Sequence, residues 1–387
     1  IDEDVHNELH SGTLRERLQN ESLGEGTITL IIRDPNISII GDMNFNYDDD
    51  EEAPLYLCKS LLRVDLKGCT KLTQLGNCVF YGCSSLTSVA LPDGLTQLGH
   101  SVFYKCSSLT SVALPDGLTQ LGDYVFQECS SLTSVLLPDG VTQLGDGVFN
   151  GCFSLTSVAL PDGIRQLGDY VFCNCSSLTT VALPDGLTQL GYSVFRGCSS
   201  LTSVALPDGL TQLGSRVFWE CSSLTSVSLP DGLTQMGDRV FYECSSLTSV
   251  ALPDGLTQLG SYVFKECSSL TSVSLPDGVT QLGYGVFDGC SSLTSAANSA
   301  GFDTVELYLR DRYKCVILRK LFLRLLGKYN QAVNEANGTE AEKNATALAY
   351  FPTDNSSTLD VGLFLQTMNA SGGDGVIGLV GYILKFV

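Results

Sequence analysis

The sequence has little of what catalytic and nucleic-acid-binding sites are usually built from. It contains three histidines and one tryptophan. It has 22 lysines and arginines and 42 aspartates and glutamates, so its net charge is −20. Because phosphate binding needs clustered cations, this balance argues against nucleic acid as a main partner. There is no Gly-rich phosphate loop or nucleophile elbow, and His6 and His10 lack a third metal ligand. The sequence therefore predicts a non-enzymatic protein without a metal or cofactor.

Long hydrophobic runs are missing as well. No apolar segment reaches the roughly 20 residues that a membrane-spanning helix needs, so no integral membrane span is expected. Even so, 43% of the residues are hydrophobic and 17% are charged, which is enough to bury a core and is unlike a disordered chain.

What the sequence has in abundance is one repeated phrase. The residues SSLTSVALPDGLTQLG begin at Ser84 and recur verbatim at Ser107, Ser199 and Ser245. Ten of the 15 cysteines lie 23 residues apart, from Cys83 to Cys290. This spacing belongs to a repeat and not to a disulfide-stapled secreted domain, so these cysteines are predicted to be reduced thiols in a core.

Each 23-residue unit contains the signals of one coil. Leu86, Val89 and Leu91 alternate as in a short strand. Pro92 cannot donate to a ladder and ends that strand, and the following Asp-Gly makes a turn. One unit cannot close a core, but stacked units can, with the phenylalanine that recurs in every unit forming a continuous spine.

The unit resembles a known family. The phrase CSSLTSVALPDG, combined with LGDYVFxxC, is similar to the BspA-like leucine-rich repeat family, and residues 58–295 contain it. The resemblance implies a leucine-rich repeat solenoid of parallel β strands with short helical turns, in about ten 23-residue repeats. It also implies varied surface and binding proteins and no single activity.

The segments on either side of the repeats are predicted to cover the ends of the array. Residues 1–57 form an N-terminal cap with short strands and an acidic loop, and residues 296–329 form a capping amphipathic helix. Residues 330–387 are a polar linker and a helical tail. The basic helix 305–329 has an alternative interpretation, as a helix that lies on a membrane surface or binds a calmodulin-like protein.

The copies differ from one another mainly at four places, the two residues after Leu-Gly and the two after Val-Phe. We call this set the variable edge. Tyr, Trp and Arg are the residues that anchor protein interfaces, and several occur here. The candidate partner-binding residues are Tyr104, Tyr124, Tyr192, Arg196, Arg216, Trp219, Arg239, Tyr242 and Tyr262. An exposed turn that drifts without selection would also vary, and this alternative stays open.

The sequence thus predicts a protein–protein interaction scaffold that binds protein partners through its variable edge. The alternative is a secreted or cell-surface adhesive glycoprotein, favoured by seven N-x-S/T sequons. Reduced cysteines, with Cys173 expected to be exposed, favour the cytoplasm slightly over secretion.

Overall fold

The computed structural model describes residues 8–9, 28–32, 34–40, 59, 61–276 and 278–311. The chain divides into two compact units, Ile1–Leu307 and Tyr308–Val387, and the repeats lie in the first. The acidic loop, most of the 305–329 helix, and the linker and tail lie outside the described residues.

The first unit is a solenoid with two parallel ladders, one on each of two faces. The ladder that we call the strand face consists of β2 (Ile28–Ile31), β4 (Leu61–Asp65), β6 (Ser88–Ala90), β8 (Ser111–Ala113), β10 (Ser134–Leu136), β12 (Ser157–Ala159), β14 (Thr180–Ala182), β16 (Ser203–Ala205), β18 (Ser226–Ser228), β20 (Ser249–Ala251) and β22 (Ser272–Ser274). From β6 onwards, neighbouring strands pair residues that lie 23 positions apart, for example Val135 with Val158, except between β14 and β16, where the ladder is interrupted. The central valine of these strands points inward, because alternate residues of a strand face opposite sides.

The second ladder consists of two-residue strands, most of them Gln-Leu. It contains β1 (Glu8–Leu9), β3 (Ile39–Ile40), β5 (Gln74–Leu75), β7 (Gln97–Leu98), β9 (Gln120–Leu121), β11 (Gln143–Leu144), β13 (Gln166–Leu167), β15 (Gln189–Leu190), β17 (Gln212–Leu213), β19 (Gln235–Met236), β21 (Gln258–Leu259) and β23 (Gln281–Leu282). We call it the glutamine face. Its strands are parallel and in register, as in the pairing of Leu190 with Leu213. The predicted solenoid of about ten 23-residue coils is therefore confirmed.

The N-terminal segment extends both ladders. Strand β2 pairs in parallel with β4, and β3 pairs with β5. These strands lack the Cys and Phe of the repeat phrase, yet Ile40 is completely buried as a repeat leucine would be. They therefore form an earlier coil that continues both ladders.

A column of phenylalanine rings fills the core, as the repeat predicted. Ten rings from Phe80 to Phe287 stack with centroids 5.5–5.7 Å apart and planes within 10° of parallel. The cysteine column lies beside them, and its thiols are buried. Each thiol from Cys106 to Cys290 donates to the carbonyl of the phenylalanine 26 residues earlier, at 2.9–3.2 Å. Cysteine suits this place because it is small, apolar and still a weak donor.

The glutamine-face ladder is interrupted between β11 and β13. In most coils a threonine precedes the Gln-Leu pair, and its hydroxyl donates to the carbonyl of the equivalent residue one coil earlier, as Thr119 does to Thr96. Arg165 replaces that threonine in the coil of β13, and its guanidinium donates instead to the carbonyl of Asp162 at 2.7 Å. The substitution coincides with the break.

The last coil leads into a helix. Helix α1 (Ser291–Ser299) begins directly after Cys290 and buries Leu293 and Ala297. It contains the phrase Ser-Ser-Leu-Thr-Ser, which leads into a strand in the earlier coils. Residues 305–311 are helical again and lie at the start of the predicted 305–329 helix. No helix among the described residues is long and apolar enough to cross a membrane.

Candidate partner-binding edge

The variable edge is a row of tight turns that connects the glutamine face back to the cysteine column. In each turn the backbone N–H of the residue after Val-Phe donates to the carbonyl three residues earlier, as Trp219 does to Arg216 at 3.2 Å. Alternate N–H groups donate to the next coil, for example from Phe218 to Val240. The Val and Phe of the turn point inward, and most of the residues on either side of them are at least partly exposed, although Ser193 and Ser101 are buried.

Two residues in every turn have left-handed backbone. One lies two positions after the glycine of Leu-Gly, and the other lies directly before the column cysteine. Non-glycine residues with φ between 54° and 63° at these places are Cys78, Ser101, Lys105, Tyr124, Glu128, Tyr170, Asn174, Ser193, Arg216, Glu220, Arg239, Glu243, Tyr262 and Glu266. Glycine holds the same conformation in sister turns, at Gly147 and Gly151 for example. Since left-handed backbone costs an ordinary L-residue about 1–2 kcal/mol, these side chains are kept at an energetic cost.

The residue directly after Leu-Gly has a structural role that the sequence did not reveal. Its side chain accepts a hydrogen bond from the backbone N–H of the equivalent residue one coil later. Asp123 accepts from Asp146 at 2.8 Å, and Asp146 in turn accepts from Asp169 at 2.8 Å. Serine and histidine serve the same purpose elsewhere, as His100 does for Asp123. Much of the variation at this place is thus variation among hydrogen-bond acceptors.

Tyr192 has this place in its coil but carries an aromatic ring in place of the usual acceptor. Its own backbone N–H still donates to Asp169 of the coil before it, at 2.6 Å. Its ring lies edge-on to Tyr170, with centroids 5.2 Å apart, and the guanidinium carbon of Arg216 lies 5.0 Å from its centroid. The ring therefore joins a cluster of side chains on neighbouring coils.

The other candidates of the second half belong to the same cluster. The guanidinium carbons of Arg196 and Arg216 lie 4.3 Å and 4.9 Å from the ring centroid of Trp219. The ring of Tyr242 is 5.4 Å from that of Trp219. Such cation–π and aromatic contacts contribute about 0.5–1 kcal/mol each at a partly exposed site, so they offset part of the backbone cost.

The row continues towards the last repeat. Arg239 lies 5.1 Å from the ring of Tyr262, which contacts Tyr284 edge-on with centroids 5.4 Å apart. A Cβ added at Gly285 would lie 2.9 Å from the Tyr262 ring. The glycine therefore leaves room for the tyrosine of the coil before it. The structure thus places Tyr192, Arg196, Arg216, Trp219, Arg239, Tyr242 and Tyr262 in one ladder of aromatic and cationic side chains.

The first-half candidates lie apart from that ladder. Tyr104 stacks on Tyr81 with centroids 4.7 Å apart and donates to the Glu128 carboxylate at 3.1 Å. Burial and the nearby carboxylate raise its pKa above the ordinary tyrosine value. Tyr124 is 37% exposed, and its ring covers Gly147 of the next coil.

Comparison with known proteins identifies the repeat. A family model described as BspA type leucine rich repeat region, built from six copies, matches residues 55–179 and 165–294. The chain belongs to this family. BspA-type repeats are in general protein-interaction scaffolds and are typically not enzymes.

Solved structures with such repeats include a T. pallidum leucine rich repeat protein, at 33% identity over 45% of this chain and 78% of that one, with a TM-score of 0.40. A leucine-rich repeat protein from Bacteroides ovatus is 26% identical over 70% of this chain and 90% of that one, with a TM-score of 0.43. A leucine rich cell surface protein from Faecalibacterium prausnitzii is 24% identical over 69% of this chain and 86% of that one, with a TM-score of 0.42. No curated protein matches the chain significantly.

One expectation about the edge of this BspA-type array is wrong. Cys173 was expected to be exposed, because it occupies the outward place after Val-Phe. It is only 3% exposed, and burial raises the pKa of its thiol to about 11. The cysteine side chain is short, whereas Asn150 and Arg196 stand at the same place in the coils on either side. The argument that an exposed Cys173 favours the cytoplasm is therefore lost.

The glutamine face also forms a concave surface, which the sequence comparison of copies overlooked. Two open cavities of about 770 Å³ and 870 Å³ run along it, lined by the Gln-Leu-Gly segments of successive coils. The glycines there permit close coil-to-coil approach, since a Cβ at Gly214 would lie 2.6 Å from the carbonyl oxygen of Gly191. The Gln-Leu-Gly segments hardly vary between copies, and the part of the lining that varies is mainly the residue directly after them, such as His100, Asp123 and Ser215.

Proposed function

We propose that this protein is a non-catalytic scaffold that binds a protein partner through its variable edge, chiefly the ladder that runs from Tyr192 to Tyr262. The observation behind the proposal is the left-handed backbone beneath Tyr124, Arg216, Arg239 and Tyr262. Unselected drift at a left-handed place favours glycine or asparagine, which adopt it at least cost. Large side chains at these places are best explained by what they bind.

The composition of the edge supports the same conclusion. Tyr, Trp and Arg supply large, semi-rigid contact area and dominate the binding energy of known protein interfaces. The strand face, in contrast, presents mostly small Ser and Ala side chains, apart from the exposed Leu136. An interface on the strand face would thus have few anchors.

The test uses a variant in which Tyr192, Arg216, Trp219 and Tyr242 are all replaced by alanine. Affinity capture from the source cell should yield a partner with the wild-type chain, and the variant should capture it at least about 10-fold less, because interface anchors contribute 2 kcal/mol or more each. The amount of each captured protein is measured by quantitative mass spectrometry.

The matched control places bulk on the strand face, as Ser134→Lys with Ser226→Lys. Both serines are exposed, so this control should capture the partner as well as the wild type. Equal thermal midpoints would show that all three arrays fold. Undiminished capture by the edge variant, or loss of capture in the control alone, would contradict the proposal.

One observation favours the adhesive glycoprotein as a second candidate. Asn174 begins an N-x-S sequon and its side chain is exposed on the variable edge. If the chain is glycosylated in its source, peptide-N-glycosidase should lower the mass of the native protein and convert Asn174 to aspartate. An unmodified Asn174 in protein purified from the source would rule out a glycan at this edge.

A further inference from the structure

Three buried polar atoms without a hydrogen-bond partner lie together on two neighbouring coils. They are the hydroxyl of Ser193, Nε of Arg196 and the indole Nε1 of Trp219, and the described residues contain no other such side-chain atoms. An unsatisfied buried donor costs about 1–3 kcal/mol, so it is rare for several to occur in one place. Their clustering marks this part of the edge as a place where an acceptor would be stabilising.

Two guanidinium groups flank the indole. Arg216 lies between the rings of Tyr192 and Trp219, and no acidic or carbonyl acceptor among the described residues pairs with it. Arg196 covers one face of the indole, and its Nε is 3.6 Å from the carboxylate of Glu220, which is too long for a hydrogen bond. The aromatic contacts fix the planes of both guanidinium groups. Apart from the 3.6 Å ion pair of Arg196 with Glu220, Nε of Arg196 has no hydrogen-bond partner among the described residues.

We infer that Arg196, Arg216 and Trp219, which we call the arginine–tryptophan clamp, bind a carboxylate of an acidic peptide segment in the protein partner. The inference rests on the proposed function and names the chemistry of the partner. Arginine and indole N–H groups only donate hydrogen bonds, so the ligand must supply acceptors. A carboxylate matches the planar fork of a guanidinium with two parallel hydrogen bonds.

Because Nε of Arg196 and Nε1 of Trp219 are buried, a carboxylate would reach both only if Arg196 moved. This side chain is half-buried and long, so its guanidinium can leave the indole face while its stem stays packed. A carboxylate between Arg196 and Arg216 would then have the indole N–H as a third donor. Glu220 supplies one negative charge nearby, which favours a singly charged carboxylate over a phosphate dianion.

The net charge of −20 does not prevent an acidic segment from binding here. At physiological ionic strength the Debye length is about 8 Å, so distant aspartates and glutamates are largely screened. The carboxylate therefore responds mainly to the charges within that distance, which are Arg196, Arg216 and Glu220.

Trp219 allows the site to be tested directly, because it is the only tryptophan of the chain. The full chain is titrated with an acetylated, amidated peptide Gly-Ser-Glu-Glu-Gly-Ser at constant ionic strength, and indole emission is recorded. We expect a saturable change with this peptide and none with its Gln-Gln counterpart. Inorganic phosphate and oligogalacturonate are titrated in parallel, as other sources of anionic oxygen.

Arg216→Asn removes the guanidinium and suits the left-handed backbone, because asparagine tolerates that conformation. Arg63→Asn is the control, since it removes the same guanidinium charge from an exposed arginine of strand β4 on the strand face, outside the variable edge. The first variant should bind the Glu peptide at least about 10-fold more weakly, and Arg216→Lys should fall between it and the wild type. The control should bind normally.

Several results would overturn the inference: no saturable change with the Glu peptide, equal binding by Arg216→Asn, or tighter binding of phosphate or oligogalacturonate than of the peptide. These results are separate from the capture experiment. Loss of partner capture in the edge variant, together with no response to the Glu peptide, would leave the proposed function standing and remove only the carboxylate site.

Discussion

Above a pH of about 9, the repeat array should unfold steeply, because its core contains a column of thiols that cannot ionise in place. Burial raises the pKa of all eight column thiols from Cys129 to Cys290 above the ordinary value of 9.0. In the unfolded chain the same thiols ionise near that value. The stability that they contribute is thus fully present below pH 9 and is lost as the pH rises above it.

The expected slope is large. Each thiol that ionises only in the unfolded chain lowers the free energy of unfolding by about 1.4 kcal/mol per pH unit. Eight such thiols lower it by on the order of 10 kcal/mol per unit, which is comparable to the whole stability of an ordinary domain. Urea titrations followed by circular dichroism in reducing buffer, at several pH values between about 8 and about 10, measure this slope.

A triple variant separates thiols from other alkaline groups. Replacing Cys198, Cys221 and Cys244 by alanine lowers stability at neutral pH, since each loses a hydrogen bond to a phenylalanine carbonyl. Its slope above pH 9 should nevertheless be shallower, by about 4 kcal/mol per pH unit. If the wild type and the variant have equal slopes, or if native column thiols are alkylated readily, the buried column is wrong.

The second large effect concerns the phenylalanine spine. Phe172→Ala should lower the free energy of unfolding by about 3–5 kcal/mol. The Phe172 ring is fully buried, with ring centroids 5.6 Å from Phe149 and 5.5 Å from Phe195, so truncation leaves a cavity in the middle of the stack. Because each coil contacts only its neighbours, the loss also uncouples the two halves of the array.

Phe153 provides a matched control in a neighbouring turn of the chain. It is 48% exposed, so Phe153→Ala should change stability by only about 0.5 kcal/mol. Both variants are compared by urea unfolding at neutral pH. Similar losses from the two substitutions would show that the ring column is not what holds the coils together.

The left-handed residues of the variable edge lower the stability of the fold but present side chains that a partner can contact. Sister turns show that glycine fits both left-handed places, yet Arg216 and Glu220 occupy them in one turn. The aromatic and cationic contacts of the ladder offset part of the free-energy cost of the left-handed backbone and hold the side chains in place. Side chains that are fixed before binding lose less entropy when a partner arrives.

The sequence by itself determined the period, the core and the location of the edge. A strict spacing of 23 residues, with Phe, Cys, Leu and Val at fixed places, can bury its apolar side chains in only one way, by stacking coil on coil. Comparing the copies with one another also found the places where side chains such as Arg196, Arg216 and Trp219 meet, because residues 20–23 apart in the chain become neighbours in a solenoid.

The tertiary structure alone decided the rest, since it depends on what each side chain meets in the next coil. The acceptor role of Asp123 depends on the backbone N–H of Asp146 one coil later, and the burial of Cys173 depends on how its short side chain packs in the turn. The phrase Ser-Ser-Leu-Thr-Ser leads into a strand wherever another repeat coil follows, and it is helical at residues 291–295, where none does. Carbonyl groups that accept backbone hydrogen bonds from a following coil elsewhere, as Thr202 does from Thr225, accept bonds within the helix instead, so the same residues adopt a different structure.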